Sequence, residues 1–271
     1  MKNEKTTRGS AAVRGEEERR TRLAAIAARL TERYPDAVCA LRYEGDPWRL
    51  LVMGRLSAQC TDARVNLVAE ELFVRFPTAK DMAEGDLSEI EQIVKPCGLF
   101  HTKAQNLKDA SRLLVQEYGG VIPNDIDELL KFPGVGRKIA NLLVGDIYGG
   151  DAVVCDTHCI RICGRLGMYA KDLKDPVKIE RILRRLLAAG TGSDFCHRIV
   201  LFGREICTAR APMCGDCPLA DLCAYKQADG EESGKDSRKS PQKPEKAGMQ
   251  PKTQSRPKQD PDGDRKGGRE A

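Results

Sequence analysis

The chain has 271 residues, 41% of them apolar, which is enough for one or two domains with a real core. A net charge of +5 permits nucleic-acid binding without demanding it, and no apolar run is long enough to span a membrane. Met1 to Arg20 is polar like no secretory leader, and Glu16, Glu17 and Glu18 argue against a mitochondrial presequence, so eleven cysteines, an odd count, point to a reducing cytoplasm and to a metal rather than disulfides.

Met1 to Gly15 reads as a loose start and Glu16 to Tyr34 as a helix with Leu23, Ile26 and Leu30 on one face. Asp46-Pro47-Trp48 opens a second helix, and its only tryptophan, Trp48, is expected in the core. Gly54-Arg55 departs from the apolar pattern of that run. Its end, Ser57-Ala58-Gln59-Cys60-Thr61-Asp62, is polar where a buried helix should stay apolar, which marks either a surface with a task or a simple cap for a helix Ala63 to Phe76. Further helices are expected at Asp86 to Lys95, Thr102 to Tyr118 and Asp125 to Lys131, with Gly98 and Gly119 at stop positions. Between them Leu99 and Phe100 are apolar in a loop, as core plugs or as a wedge between bases.

The most informative stretch runs from Leu129 to Asp156. Pro133-Gly134-Val135-Gly136 joins a short apolar run to a helix carrying Ile139, Leu142, Leu143 and Ile147. Glycine backbone N–H groups at the start of a helix can grip a phosphate oxygen without reading sequence. Lys138 follows in the first turn, beside Arg137, where surrounding positive charge disfavours an ammonium ion and favours a nucleophilic amine. A helix from Lys138 to Ile147 travels roughly 14 Å, and an extended return over Asp151 to Cys155 recovers roughly 17 Å. Asp156 is thereby returned to the end where Lys138 starts. Each feature alone is ordinary: a helix connection, a surface lysine, an N-cap. In this order they describe an amine and a carboxylate facing one phosphate-gripping turn.

Beyond Asp156, helices are expected near Thr157 to Leu166, Asp175 to Ala189 and Ser193 to Glu205; strand signals are nearly absent, so the fold class is all-α. From His158 to Arg210 eleven Lys or Arg face five Asp or Glu, a basic bias beside the candidate site. Cys207, Cys214, Cys217 and Cys223 place four thiolates within seventeen residues, strong evidence for a metal. Zinc ribbons use two short pairs, whereas here one short pair is flanked by two long gaps. Cys39, Cys60, Cys97, Cys155, Cys159, Cys163 and Cys196 are expected as small packing residues. From Gln227 to Ala271 there is no Leu, Ile, Val or aromatic residue, and the segment is expected to be disordered.

The segments FPGVGRKIA and VCDTH resemble the helix-hairpin-helix DNA glycosylases and, within them, the endonuclease III branch, over roughly residues 20 to 226. The resemblance implies a two-lobed all-α helix-hairpin-helix fold with a C-terminal iron-sulfur cluster loop. One lobe would be residues 40–150, the other residues 16–39 with 151–226, and the ends, 1–15 and 227–271, would be disordered. It implies a bifunctional DNA glycosylase and abasic-site lyase of base excision repair, removing oxidised pyrimidines through a lysine Schiff base and nicking 3′ to the lesion by β-elimination. Lys138 would attack the sugar and Asp156 assist it. Gln59 would enter the duplex where the base has left, Leu99 would wedge, and Gly134, Val135, Gly136 and Arg137 would hold the backbone. The four cysteines from Cys207 to Cys223 would bind a 4Fe-4S cluster, with Arg210 on its loop against DNA. The partner would be double-stranded DNA with a damaged base or abasic site, bound by a monomer at the bacterial nucleoid, with no membrane involved. Cys155 replaces a usually apolar residue, and His101 stands where asparagine is common. A monofunctional relative would lack the lysine, an electron-transfer protein would be small and dominated by its cluster, and a non-catalytic hairpin protein would bind DNA without nicking it.

Overall fold

The computed structural model describes residues 4–170 and 172–227, with side chains from Gly15 onward. The expected disorder of residues 228–271 and of 1–3 lies outside these. Among the described residues there are eleven α-helices, two short 3-10 turns and no strand. The helices are α1 (Glu4–Arg33), α2 (Pro47–Leu56), α3 (Asp62–Arg75), α4 (Ala79–Glu84), α5 (Leu87–Val94), α6 (Phe100–Tyr118), α7 (Ile126–Leu129), α8 (Arg137–Asp146), α9 (Thr157–Arg165), α10 (Pro176–Leu186) and α11 (Gly192–Glu205). The all-helical expectation holds.

Two readings need correction. The first helix begins at Glu4 rather than Glu16, so a loose start through Gly15 is not what the backbone adopts. No proline interrupts this stretch, and one glycine in a helix costs only ~1 kcal/mol against alanine, too little to stop a run rich in Ala, Arg and Glu. Helix α4 was not foreseen, although Thr78 and Asp81 form a reciprocal capping box: Asp81 N–H donates to Thr78 Oγ1 at 3.2 Å and Thr78 N–H donates to Asp81 Oδ2 at 3.0 Å.

Most boundaries follow from their caps. Asp46 Oδ1 accepts from Trp48 and Arg49 N–H groups at 2.8 and 3.1 Å, with Pro47 at the first helical position. Thr61, Asp86, Asp125, Asp156 and Asp175 cap α3, α5, α7, α9 and α10 in the same manner. Gly119 ends α6 in the left-handed conformation.

Helices α2 to α8 pack on one another, and α1 packs with α10 and α11, while α9 lies on α11. The two groups meet where α8 touches α11, over one continuous apolar core. In the first group Trp48 is buried, set edge-on to Phe73 at 5.4 Å, with its Nε1–H donating to Ser111 Oγ at 3.3 Å. In the second, Leu23, Ile26 and Leu30 of α1 are fully buried, each worth roughly 1.5–3 kcal/mol. None of the eleven cysteines is in a disulfide, and Cys97, Cys159, Cys163 and Cys196 are buried in the core.

Gly54 and Arg55 break the apolar pattern of α2 for reasons of contact. A Cβ on Gly54 would sit 3.2 Å from Ile139 Cγ2, so the glycine lets α2 lie close against α8. Arg55 is half-buried and donates through Nε to Asn106 Oδ1 of α6 at 3.0 Å.

Candidate active site and DNA interface

The turn between α7 and α8 has the expected form. Gly134 has φ +79°, and a Cβ there would lie 2.5 Å from Arg55 Nε and 2.7 Å from Asn106 Oδ1. Glycine is therefore required twice, by backbone conformation and by close approach. Val135 is buried and its N–H bonds to Phe132 O at 3.0 Å, which anchors the turn to the core. Gly136 is the N-cap of α8 and offers no side-chain capping bond, so the first N–H groups of that helix are open to an anion.

Lys138 is exposed in the first turn of α8, and Asp156 is half-buried as the N-cap of α9. Both line one cleft of about 470 Å³. The Asp156 Oδ1 accepts from Cys159 N–H at 2.8 Å, which fixes the carboxylate at the head of its helix. Helix α2's last turn, the 38–41 loop and the exposed side of α11 supply the remaining walls. Across the rim, Arg204 of α11 pairs with Asp62 of α3 at 2.6 Å and joins the two helix groups. Burial pushes the His158 imidazole below its ordinary pKa, against the pull of Asp156. His197 is held through Nε2 by both oxygens of Asp146 at 2.9 and 3.0 Å.

Gln59 and Leu99 lie in separate turns, after α2 and before α6. Both are exposed, and both have left-handed backbones, φ +55° and +50°. Such a conformation costs an L-residue roughly 1–3 kcal/mol and persists only where the surroundings enforce it. His101 follows two positions after Leu99, its ring tilted against Phe100 at 4.0 Å and 2.9 Å from Glu91 Oε1.

The guanidinium of Arg137, expected against the DNA backbone, is paired within the protein. It is taken up by Glu180 of α10, Nε to Oε2 at 2.6 Å and NH2 to Oε1 at 2.9 Å, with Asn141 Nδ2 on the same carboxylate at 3.0 Å. The Glu180 side chain is only 2% exposed. The pair joins α8 to α10 and leaves the first N–H groups of α8 without a side-chain partner. Arg137 is itself 31% exposed, so removing Glu180 strands a half-buried cation, and Glu180→Ala is expected to cost roughly 1–3 kcal/mol, on the order of 5 °C in Tm. A thermal melt shifted by less than about 2 °C would show that the pair does not hold the helices together.

Cys207, Cys214, Cys217 and Cys223 line one cavity with Leu166, Phe202 and Ile206. Among the described residues no three His, Cys, Asp or Glu converge as ligands of a single ion. Four thiols set around a mostly apolar cavity fit a polynuclear cluster, in which each iron takes one cysteine. Helix α9 secures the loop: Arg165 donates to Thr208 O at 2.7 Å, Ala209 O at 2.8 Å and Cys207 Sγ at 3.3 Å, and Arg161 donates to Cys207 O at 3.0 Å. Arg210 is exposed on that loop.

Residues 52–189 match the HhH-GPD superfamily of base excision DNA repair proteins, and residues 207–223 match the iron-sulfur binding domain of endonuclease III. An endonuclease III from Synechocystis sp. is 44% identical over 200 residues, 73% of this chain and 90% of the relative. One from Bacillus subtilis is 40% identical over the same shares. A solved structure of a trapped endonuclease III–DNA covalent intermediate, an estranged-adenine complex, shares the fold at a TM-score of 0.73 and 36% identity, covering 78% of this chain and 98% of that one. No helix among the described residues is long and apolar enough to cross a membrane. With the uncapped glycine turn, the lysine and carboxylate in one cleft and the four-cysteine loop in place, the chain belongs to the HhH-GPD superfamily as a 4Fe-4S DNA glycosylase and abasic-site lyase of base excision repair.

Proposed function

We propose that Lys138 is the nucleophile and Asp156 its partner, acting on oxidised pyrimidines and abasic sites in double-stranded DNA. One observation carries this reading: Lys138 and Asp156 start two different helices yet line the same cleft, beside a helix N-terminus left open by glycine. The damaged nucleotide is flipped into the cleft, because C1′ cannot be reached inside the stack. The Lys138 Nζ lone pair forms the bond to C1′ as the glycosidic bond breaks and its electron pair leaves with the base. Asp156, as carboxylate, stabilises the positive charge that develops on the sugar and helps move protons. Opening of the ring gives an imine. Loss of a C2′ proton then expels the 3′ phosphate, and water releases the lysine. That a similar endonuclease III has been trapped covalently on DNA supports the assignment.

The Gly134 to Gly136 turn, with the open N–H groups at the start of α8, holds a backbone phosphate, and Arg210 meets the backbone from the cluster loop. Cys207, Cys214, Cys217 and Cys223 ligate the 4Fe-4S cluster, which when bound cross-links this loop into one body. The protein works as a monomer at the bacterial nucleoid. Borohydride trapping on abasic duplex tests the central assignment: a covalent adduct and a 3′ nick are expected, whereas a monofunctional enzyme or a DNA-binding module would give neither.

Two further outcomes follow from the same reading. Purified protein is expected to be yellow-brown, with about four irons and four sulfides per chain, and Cys214→Ser to lose iron together with folded yield. Equimolar zinc without sulfide would overturn the cluster ligation. Gln59→Ala and Leu99→Ala are expected to slow excision from lesion duplex more than cleavage of a pre-formed abasic site, since filling the gap matters most while a base must still be extracted. Equal losses on both substrates would indicate a folding defect instead.

A further inference from the structure

Lys103 is a cation in the core. It sits on the buried stripe of α6 with Ala104, Leu107 and Leu114, and its relative exposure is 0%. Its ammonium donates to three backbone carbonyls, each at 2.8 Å: Leu56 and Ala58 in the turn before Gln59, and Cys97 in the turn before Leu99. Those three bonds use all of its donors, and none of the three partners is a carboxylate. A buried charge without a counter-charge is costly, and leucine or methionine would serve this stripe better if packing were the only task. The carbonyls it binds end α2 and the 3-10 turn Lys95–Cys97, so one side chain caps two chain ends at once. The thiols of Cys60 and Cys97 also interact beside it, so the two turns are neighbours. Burial lowers the pKa of the ammonium, as expected of a charge held by dipoles alone.

We propose that Lys103 is a positioning residue for base extraction, tying the Gln59 turn to the Leu99 turn so that both exposed side chains enter the duplex as one rigid unit. The proposal rests on the reading of Gln59 and Leu99 as the residues that enter the duplex. It accounts for two left-handed backbones, φ +55° and +50°, in separate stretches of chain: both are enforced through one shared anchor. Gln59 would fill the vacated stack while Leu99 wedges, so base extraction is favoured when the two turns are held at a fixed separation. Lys103 touches neither DNA nor the reacting atoms and acts only through the two turns.

The test compares full-length Lys103→Met with a Gln59→Ala/Leu99→Ala double variant and the triple combination. Each is measured under single-turnover conditions on duplex with an oxidised pyrimidine and on duplex with a pre-formed abasic site. Lys103→Met is expected to slow excision by about tenfold or more while leaving abasic cleavage within about twofold, and to add less than about twofold in the double background. A 2-aminopurine opposite the lesion should brighten on binding of the parent protein and fail to brighten with Lys103→Met. Equal slowing on both substrates, or losses that multiply in the triple variant, would overturn the proposal and leave Lys103 a folding residue. If Lys103→Met does not accumulate, Lys103→Arg is measured in its place; it keeps charge and donors but displaces both turns, so the same split between substrates is required. If the double variant itself shows no split, the reading of Gln59 and Leu99 fails and takes this proposal with it. If the double variant splits and Lys103→Met does not, only the proposal fails.

Discussion

Lys138→Gln is expected to bind lesion duplex nearly as well as the parent while losing base release and the borohydride adduct by ~10³-fold or more, about 4 kcal/mol in barrier. Glutamine keeps most of the length and the polarity of the side chain. It cannot form an imine, which needs a primary amine with a free lone pair. Lys138 is exposed in the first turn of α8 and makes no core contact that its loss would disturb. The proposed phosphate grip uses backbone N–H groups rather than the Lys138 side chain, and the anchoring of α8 belongs to Arg137 and Glu180. Binding and folding should therefore survive the change. Gel-shift affinity and trapping yield, measured on the same preparation, check both halves; a wild-type adduct yield would remove Lys138 from the mechanism.

Asp156→Asn separates a cap from a charge. Its Oδ1 accepts from Cys159 N–H at 2.8 Å, and the residue lines the same cleft as Lys138, where the proposed mechanism also asks it for charge. Asparagine caps a helix as well as aspartate, so stability should change by less than about 0.5 kcal/mol. The negative charge that answers a positive sugar is gone, and turnover should fall by about 10²-fold or more. Asp156→Ala loses both, adding roughly 0.5–2 kcal/mol of destabilisation to the same catalytic defect. An active Asp156→Asn beside an early-melting Asp156→Ala would reduce the residue to a cap.

Much of the site was legible because its parts are local. A glycine turn, a lysine two residues past it and an aspartate that opens the next helix are set by chain chemistry within a few residues of each. Helix starts were readable for the same reason, since Asp46, Thr61, Asp86, Asp125 and Asp175 bond to N–H groups two or three positions on. What escaped is long-range. Glu180 reaches Arg137 from 43 positions away, and Arg55 meets Asn106 from 51. Neither spacing leaves a periodic trace, so Arg137 read as a free cation for DNA and Arg55 as a disturbance. Lys103 left a signal that could have been used, a charged residue at an apolar position of an otherwise regular helical stripe. The early start of α1 escaped because the residues before Glu16 carry no apolar stripe like that of Leu23, Ile26 and Leu30.

The seven residues from Phe132 to Lys138 look like a unit that could be moved from one protein to another. The floor beneath Gly134 says otherwise, because it is built by Arg55 of α2 and Asn106 of α6, at 2.5 and 2.7 Å from where a Cβ would stand. A graft of the hairpin alone would carry the glycine and leave behind what gives it its shape. In this protein the motif is the visible part of three helices, and its sequence cannot drift at 134 without consent from 55 and 106.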